Sequence, residues 1–287
     1  MSALAMFSLK SSSLLAFDMQ RFEPVVKHNL RTLYGVENVP SDTYMREQLD
    51  EVDPKDLRKS YLSLFRGVQD GKLLESYNFL GGYLCLVDGT QIFNSESIHC
   101  QNCCEKHHRD GRVSYHHQIL SAAIAHPDRR QVIPLCPEPI TKQDGSVKND
   151  CERNASHRFL KDLKREHPRL KLTLVSDTLS ANTPYINELK EAGYSHIVAV
   201  KPEGNRTLFQ RAEGICKEEE IVVGKNRYTF RYVNGVPLND TKGSPSVNFF
   251  ACEALEVVGK KVVKKSFAWI TDHLITRDNL YELNRGG

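Results

Sequence analysis

The chain has 287 residues, 40% of them hydrophobic and 26% charged, with a net charge of +3. That length can bury one or two cores, and this balance excludes a disordered or strongly acidic chain. No run reaches about eighteen consecutive apolar residues, which excludes a membrane-spanning helix.

The N-terminal stretch Met1 to Leu15 is broken by Lys10 and Ser11-Ser12-Ser13. It lacks the basic start and cleavage site of a signal peptide. Residues 14–80 read as a cluster of small helices. Phe17 to Leu33 carries apolar residues at helical spacing. Pro40-Ser41-Asp42-Thr43 starts a second helix, with Ser41 or Asp42 able to cap it. Asp53-Pro54 makes a turn and an N1 proline before Leu57, Tyr61, Leu64 and Phe65. Gly81-Gly82 ends the helical region.

From Tyr83 the pattern changes to strands. Leu84–Val87 is the first and ends at Asp88. Ser114–Ala125 and Gln131–Leu135 flank the turn His126-Pro127-Asp128 as an antiparallel pair. Asn149–His167 is an amphipathic helix with Phe159, Leu160 and Leu163 on one face. Leu170–Val175 is a strand ending at Asp177, Asn182–Ala192 a helix ended by Gly193, and His196–Val200 another strand. After Pro202 the chain turns β-rich, with strands expected over Ile221–Val223, Tyr228–Val233, Val247–Leu255 and Ser266–Thr271. A helix begins at Asp278–Asn284. The fold class is therefore α/β with a mixed sheet, preceded by a small helical region over 1–80.

Three groups of residues carry candidate chemistry. Asp88 and Asp177 each end a short apolar run, where ligands meet a sheet edge. Two convergent carboxylates bind Mg²⁺ or Mn²⁺. Taken singly, Asp88 also reads as a turn residue before Gly89, and Asp177 as a helix cap near Thr178. The second group is Cys100, Cys103, Cys104 and His107, with His108 beside them. A Cys-x₂-Cys pair followed by His offers soft ligands suited to Zn²⁺. His99, His116 and His117 add further candidates, and a polar loop with fortuitous ligands is the alternative. The eight cysteines, mostly single or clustered with histidine, favour thiols or metal over disulfides in a chain that is not secreted.

The third group is basic. Residues 1–82 hold 10 Lys+Arg against 11 Asp+Glu, and the rest hold 29 against 25, so the net charges are −1 and +4. Lys161, Lys164, Arg165, Arg169 and Lys171 cluster, as do Lys260, Lys261, Lys264 and Lys265. Each cluster suits a phosphate backbone or, equally, a solvated helix face or strand edge. Lys148, Asn149, Glu152 and Arg153 open a helix between the two aspartates. Glu152 there either flanks the site or serves the helix's first turn.

The order of these motifs resembles the ribonuclease-H-like catalytic domain of DDE transposases from bacterial insertion sequences. Asp88-Gly-Thr90 looks like that family's first aspartate motif, and Val175-Ser-Asp177 with Asn182 looks like the second. Pro40-Ser-Asp-Thr-Tyr-Met-Arg46, His99-Cys100-Gln-Asn-Cys103-Cys104 and Lys148-Asn149-Asp150-Cys151-Glu152-Arg153-Asn154 resemble one group of these transposases, so the resemblance covers nearly the whole chain.

The resemblance implies a catalytic domain over 81–287 with a β-rich insertion at about 203–275. It implies catalysis and Mg²⁺ or Mn²⁺ binding by Asp88 and Asp177; the basic residues Lys148, Arg153, Lys164 and Arg165 are the candidate DNA contacts beside them. It also implies a homodimer on DNA in the bacterial cytoplasm, near the nucleoid. The family's third acidic residue, a Glu on a last helix, is expected beyond Gly287, and Glu282 lacks the expected neighbours. The expected function is strand cleavage and transfer at element ends, incomplete without that Glu. The alternative is a DNA-binding regulator that competes with the full-length enzyme.

Overall fold

The protein, described here from a computed structural model over residues 1–142, 151–259 and 261–287, divides into two compact units, Met1–Lys59 and Ser60–Gly287. The first unit is helical: α1 (Ser2–Ser8), α2 (Leu14–Gln20), α3 (Pro24–Tyr34) and α4 (Asp42–Asp50). The single helical run expected from Phe17 to Leu33 is two helices. The break falls at Arg21–Glu23, because Pro24 lacks a backbone N–H and clashes with a preceding turn, so it starts a helix instead of continuing one. Ser41 is the cap of α4, its hydroxyl accepting from the Tyr44 N–H at 3.3 Å. Ala5, Phe17, Leu30 and Met45 form a small separate core.

Helix α5 (Arg58–Asp70) starts at the boundary between units, and Phe65, Leu74 and Tyr77 join the core of the second unit. The helical stretch expected over 1–80 is therefore shared between units. There follow β1 (Asn78–Phe79), β2 (Gly82–Ser95), β3 (Cys104–His107), β4 (Val113–Ala125), β5 (Ile133–Pro134) and β6 (Glu138–Ile140). Next come α6 (Glu152–Glu166), β7 (Leu172–Ser176), α7 (Thr183–Ala192), β8 (Ser195–Ala199) and α8 (Arg206–Glu213). The chain continues through β9 (Lys217–Val223), β10 (Asn226–Pro237), β11 (Ser246–Val258), β12 (Lys261–Thr271) and α9 (Leu280–Gly286).

All these strands form one large mixed sheet, ordered β3-β4-β2-β7-β8-β12-β11-β10-β9, with β1, β5 and β6 on side branches. β2, β7 and β8 run parallel, while the flanking pairs are antiparallel. The β-rich segment is thus continuous with the main sheet, because Trp269 to Thr271 of β12 pair with Ala199 to Ile197 of β8. Asn182 caps α7 by accepting from the Tyr185 N–H at 3.1 Å, and Gly193 ends it at φ 76°, as the sequence suggests.

Burial separates the two faces of the sheet. Cys85, Val87 and Leu174 pack with Phe159, Leu160 and Leu163 of α6 and Leu189 of α7. Leu84 and Ile197 pack on the other face with Phe230, Phe250, Trp269, and Leu280 and Leu283 of α9. A sheet covered on both faces explains why β7 and β8 read as continuous apolar runs. Among the described residues, no helix is long and apolar enough to cross a membrane.

Candidate functional site

Asp88 does not end a strand. β2 continues past it for seven more residues, to Ser95, in an antiparallel pair with β4. The apolar run stops at Val87 because parallel pairing stops there, not because the strand does. The partner β7 spans only Leu172–Ser176, and the recorded register runs from Tyr83↔Leu172 to Leu86↔Val175. Beyond it β2 is exposed on the side β7 has left, and polar residues take over.

That register has a direct consequence for the aspartates. Extended by two residues, it would set Asp88 of β2 level with position 177, one residue past the end of β7. Side chains alternate along a strand, so Asp88 shares the face of Leu84 and Leu86, whereas Asp177 lies past the end of β7 and opens a 3₁₀ turn. Leu84 and Val175 belong to the core under α9. Asp88 therefore belongs to the α9 face, and both aspartates lie at the end of the parallel pairing.

Asp88 is exposed and makes no hydrogen bond or ion pair among the described residues. Asp177 is exposed and caps a short 3₁₀ turn, its Oδ1 accepting from the Leu179 N–H at 3.0 Å. The cap expected near Thr178 is thus present, and it leaves the second carboxylate oxygen to other partners. No group of three His, Cys, Asp or Glu that contains either aspartate brings its ligand atoms within 4.8 Å of one another, among the described residues.

A cleft of about 460 Å³ borders both aspartates and takes in Gly89, Gln118, Glu152, Arg153 and Tyr185. Glu152 stands in the first turn of α6 and accepts from Gln118 Nε2 at 2.6 Å. A Cβ on Gly89 would overlap the Glu152 carboxylate, so glycine here is what lets that carboxylate lie on the strand. Gly89 alternates with Asp88, and so Glu152 lies on the opposite face of the sheet from the Asp88 side chain. Burial pushes the Tyr185 phenol up to about 12, which keeps it protonated.

The residues expected to contact DNA disperse. Arg153 lines the cleft. Lys164 donates to the Ala192 carbonyl at 2.8 Å and lies over the Tyr194 ring, covering the C-terminus of α7. Arg165 pairs with Asp162 at 2.7 Å and Glu166 at 3.0 Å. Lys148, Asn149 and Asp150 lie outside the described residues, as does Lys260. Lys264 and Lys265 pair across the hairpin with Glu253 and Glu256 at 3.0 and 2.6 Å. Glu282 is held by Arg285 at 3.2 Å, and that guanidinium also reaches Asp128.

The cysteine group is also rearranged. Cys100 and Cys103 come together as expected, but Cys104 and His107 do not join them. β3 turns Cys104 into the core, where its thiol donates to the Ile140 carbonyl at 3.5 Å. His107 is exposed and pairs with Glu105 at 3.5 Å. The third member is His117 from β4, returned to the pair by the antiparallel partner strand. Burial raises the Cys103 thiol pKa, against a lowering backbone hydrogen bond from Cys100.

No family model matches this chain, and neither does any curated protein.

Proposed function

We propose that this protein is a DDE-type transposase with a ribonuclease-H-like catalytic domain, in which Asp88 and Asp177 hold Mg²⁺ or Mn²⁺ for strand cleavage and transfer at element ends. The observation that carries the reading is that Asp88 and Asp177 line one cleft where the β2/β7 parallel pairing ends. The sheet order supports it. Three antiparallel strands, β2, β4 and β3, are followed by β7 and β8 parallel to β2, in the spatial order β3-β4-β2-β7-β8.

The donor set fits a hard divalent cation, since both groups are exposed carboxylates and Asp88 has no competing partner among the described residues. A cation held there supplies charge neutralisation at a phosphodiester and activation of a water or a 3′-hydroxyl. The residues of this chain contribute the rest. Asp177 is oriented by its bond to Leu179, and β2 holds Asp88 rigidly through its pairing with β4 at Ser121. Arg153, which lines the same cleft, is the candidate phosphate contact.

A DNA-binding regulator is the second reading. What favours it is that, among the described residues, no third ligand joins the two aspartates. Incubating the protein with an element-end duplex and Mn²⁺ separates the two. Cleavage lost in Asp88→Ala and in Asp177→Ala supports the transposase. Salt-sensitive binding without cleavage, unchanged by either substitution, supports the regulator. Absence of salt-sensitive DNA binding removes both.

A further inference from the structure

We propose that Cys100, Cys103 and His117 form a zinc site that fastens the loop before β3 to the far end of the antiparallel β2/β4 pair. The inference stands on the relative positions of three ligand atoms. Cys100 Sγ and Cys103 Sγ are 3.8 Å apart, and His117 Nε2 lies 3.4 Å from the first and 3.3 Å from the second. With Zn–S near 2.3 Å and Zn–N near 2.05 Å, a tetrahedron requires about 3.8 Å between sulfurs and about 3.6 Å between sulfur and nitrogen. All three separations fall within a few tenths of an ångström of those values. A disulfide is excluded by the same number, since its sulfurs would sit about 2.05 Å apart.

The surroundings fit a metal better than a chance meeting of thiols. The Cys100 N–H points at Cys103 Sγ at 3.4 Å, and the Cys103 N–H donates to the Cys100 carbonyl at 3.2 Å. A turn that aims an N–H at a sulfur stabilises its thiolate, the form a metal binds. His117 is fixed by its place on β4 opposite Phe93, whose ring lies 5.9 Å away. Soft sulfur with imidazole selects zinc over the hard cations suited to the aspartates. Three protein ligands leave a fourth position, and Cys100 is exposed, so water can reach it.

The site has a mechanical consequence. His117, Ile119 and Ser121 share one face of β4, and Ser121 is the cross-strand partner of Asp88. The metal would therefore sit on the Asp88 face, four residues along β4, or about 13 Å from Ser121. Residues 96–103 would be tied down beside that face instead of swinging freely. This inference does not depend on the proposed function, since zinc binding is measured without DNA.

The test is zinc content of the full chain expressed with added zinc and purified without chelator, followed by replacement with Co²⁺. The expected result is one zinc per chain and a thiolate-to-cobalt charge-transfer band. The band disappears in Cys100→Ser and Cys103→Ser, weakens in His117→Ala, and persists in Cys104→Ser and His107→Ala. Zinc below about 0.2 per chain in the unaltered protein overturns the proposal without recourse to any variant. Equal loss of the band in His107→Ala and His117→Ala overturns the ligand set.

Discussion

β7 and β8 are five residues long and buried along most of their length, whereas β9 and the outer half of β12 expose nearly every residue. Both belong to one sheet. The short strands are covered by α6 and α7 on one side and by the α9 core on the other, so every position can be apolar. The outer meander is held at its base by aromatic packing, and farther out by Lys–Glu pairs across its hairpin. The candidate chemistry lies where the first kind of strand ends. Irregular backbone at the carboxyl ends of parallel strands is where ligands bind in open α/β sheets. The comparison teaches that the meander extends the sheet without adding to that edge.

The comparison breaks most visibly if the base of the meander is not part of the common core. Phe250 of β11 is fully buried and stacks on Trp269 at 5.0 Å. Phe250→Ala is expected to cost about 3–5 kcal/mol, as much as removing a large side chain beneath β7, because it leaves a cavity among residues of β2, β8 and α9. Urea unfolding measures it. A cost under about 1 kcal/mol would mean that the site collapses freely and that the meander packs loosely on the rest.

A smaller effect sharpens the comparison at the edge. Gly89→Ala pushes a methyl group against the Glu152 carboxylate and its bond from Gln118. Overpacking of this kind costs about 1–3 kcal/mol. Asp88→Asn, one residue away but exposed and unpartnered among the described residues, should stay within about 0.5 kcal/mol. Unfolding midpoints of the two variants distinguish a position that organises the cleft from one kept for chemistry. Equal costs would remove that distinction.

How much of this was legible in the sequence follows the same division. Buried strands announce themselves as apolar runs, and β7 and β8 lie within a residue or two of their expected bounds. The caps Ser41 and Asn182 were legible because capping is local chemistry. The reach of β2 was not, because its second half is paired on one side only and carries polar residues such as Thr90 and Gln91. The meander strands are all longer than expected, because charged residues interrupt their apolar pattern, as in Lys217 to Glu220 of β9 and Lys264 and Lys265 of β12. At the candidate zinc site the Cys-x₂-Cys pair was readable. His117 was one histidine among several, because only the β3/β4 and β2/β4 registers decide which of them returns to the pair. The opposite faces of Asp88 and Glu152 were hidden similarly, since alternation is informative only once the strand is known to continue.

The smallest effect separates the two regions by pH. His196 on β8 is buried, with its Nε2 lacking a hydrogen-bond partner, and its pKa is lowered by burial and by His273 against the opposing charge of Asp272. Burial likewise lowers His167 at the end of α6. The meander from Lys217 to Thr271 contains no histidine. A histidine whose folded pKa lies below its unfolded value of about 6.5 takes up its proton first in the unfolded chain. Stability is therefore complete above that value and declines as pH falls toward the folded pKa. For His196 the slope approaches about 1.4 kcal/mol per pH unit at most. Urea unfolding at pH 7.5, 6.5 and 5.5 should give a flat upper interval and a falling lower one, with the lower slope reduced in His196→Asn. An unchanged slope in that variant would assign the acid sensitivity elsewhere, to His167 or to carboxylates. A flat profile throughout would mean that His196 reaches water and titrates normally, and that this part of the sheet is less dry than the burial of β8 implies.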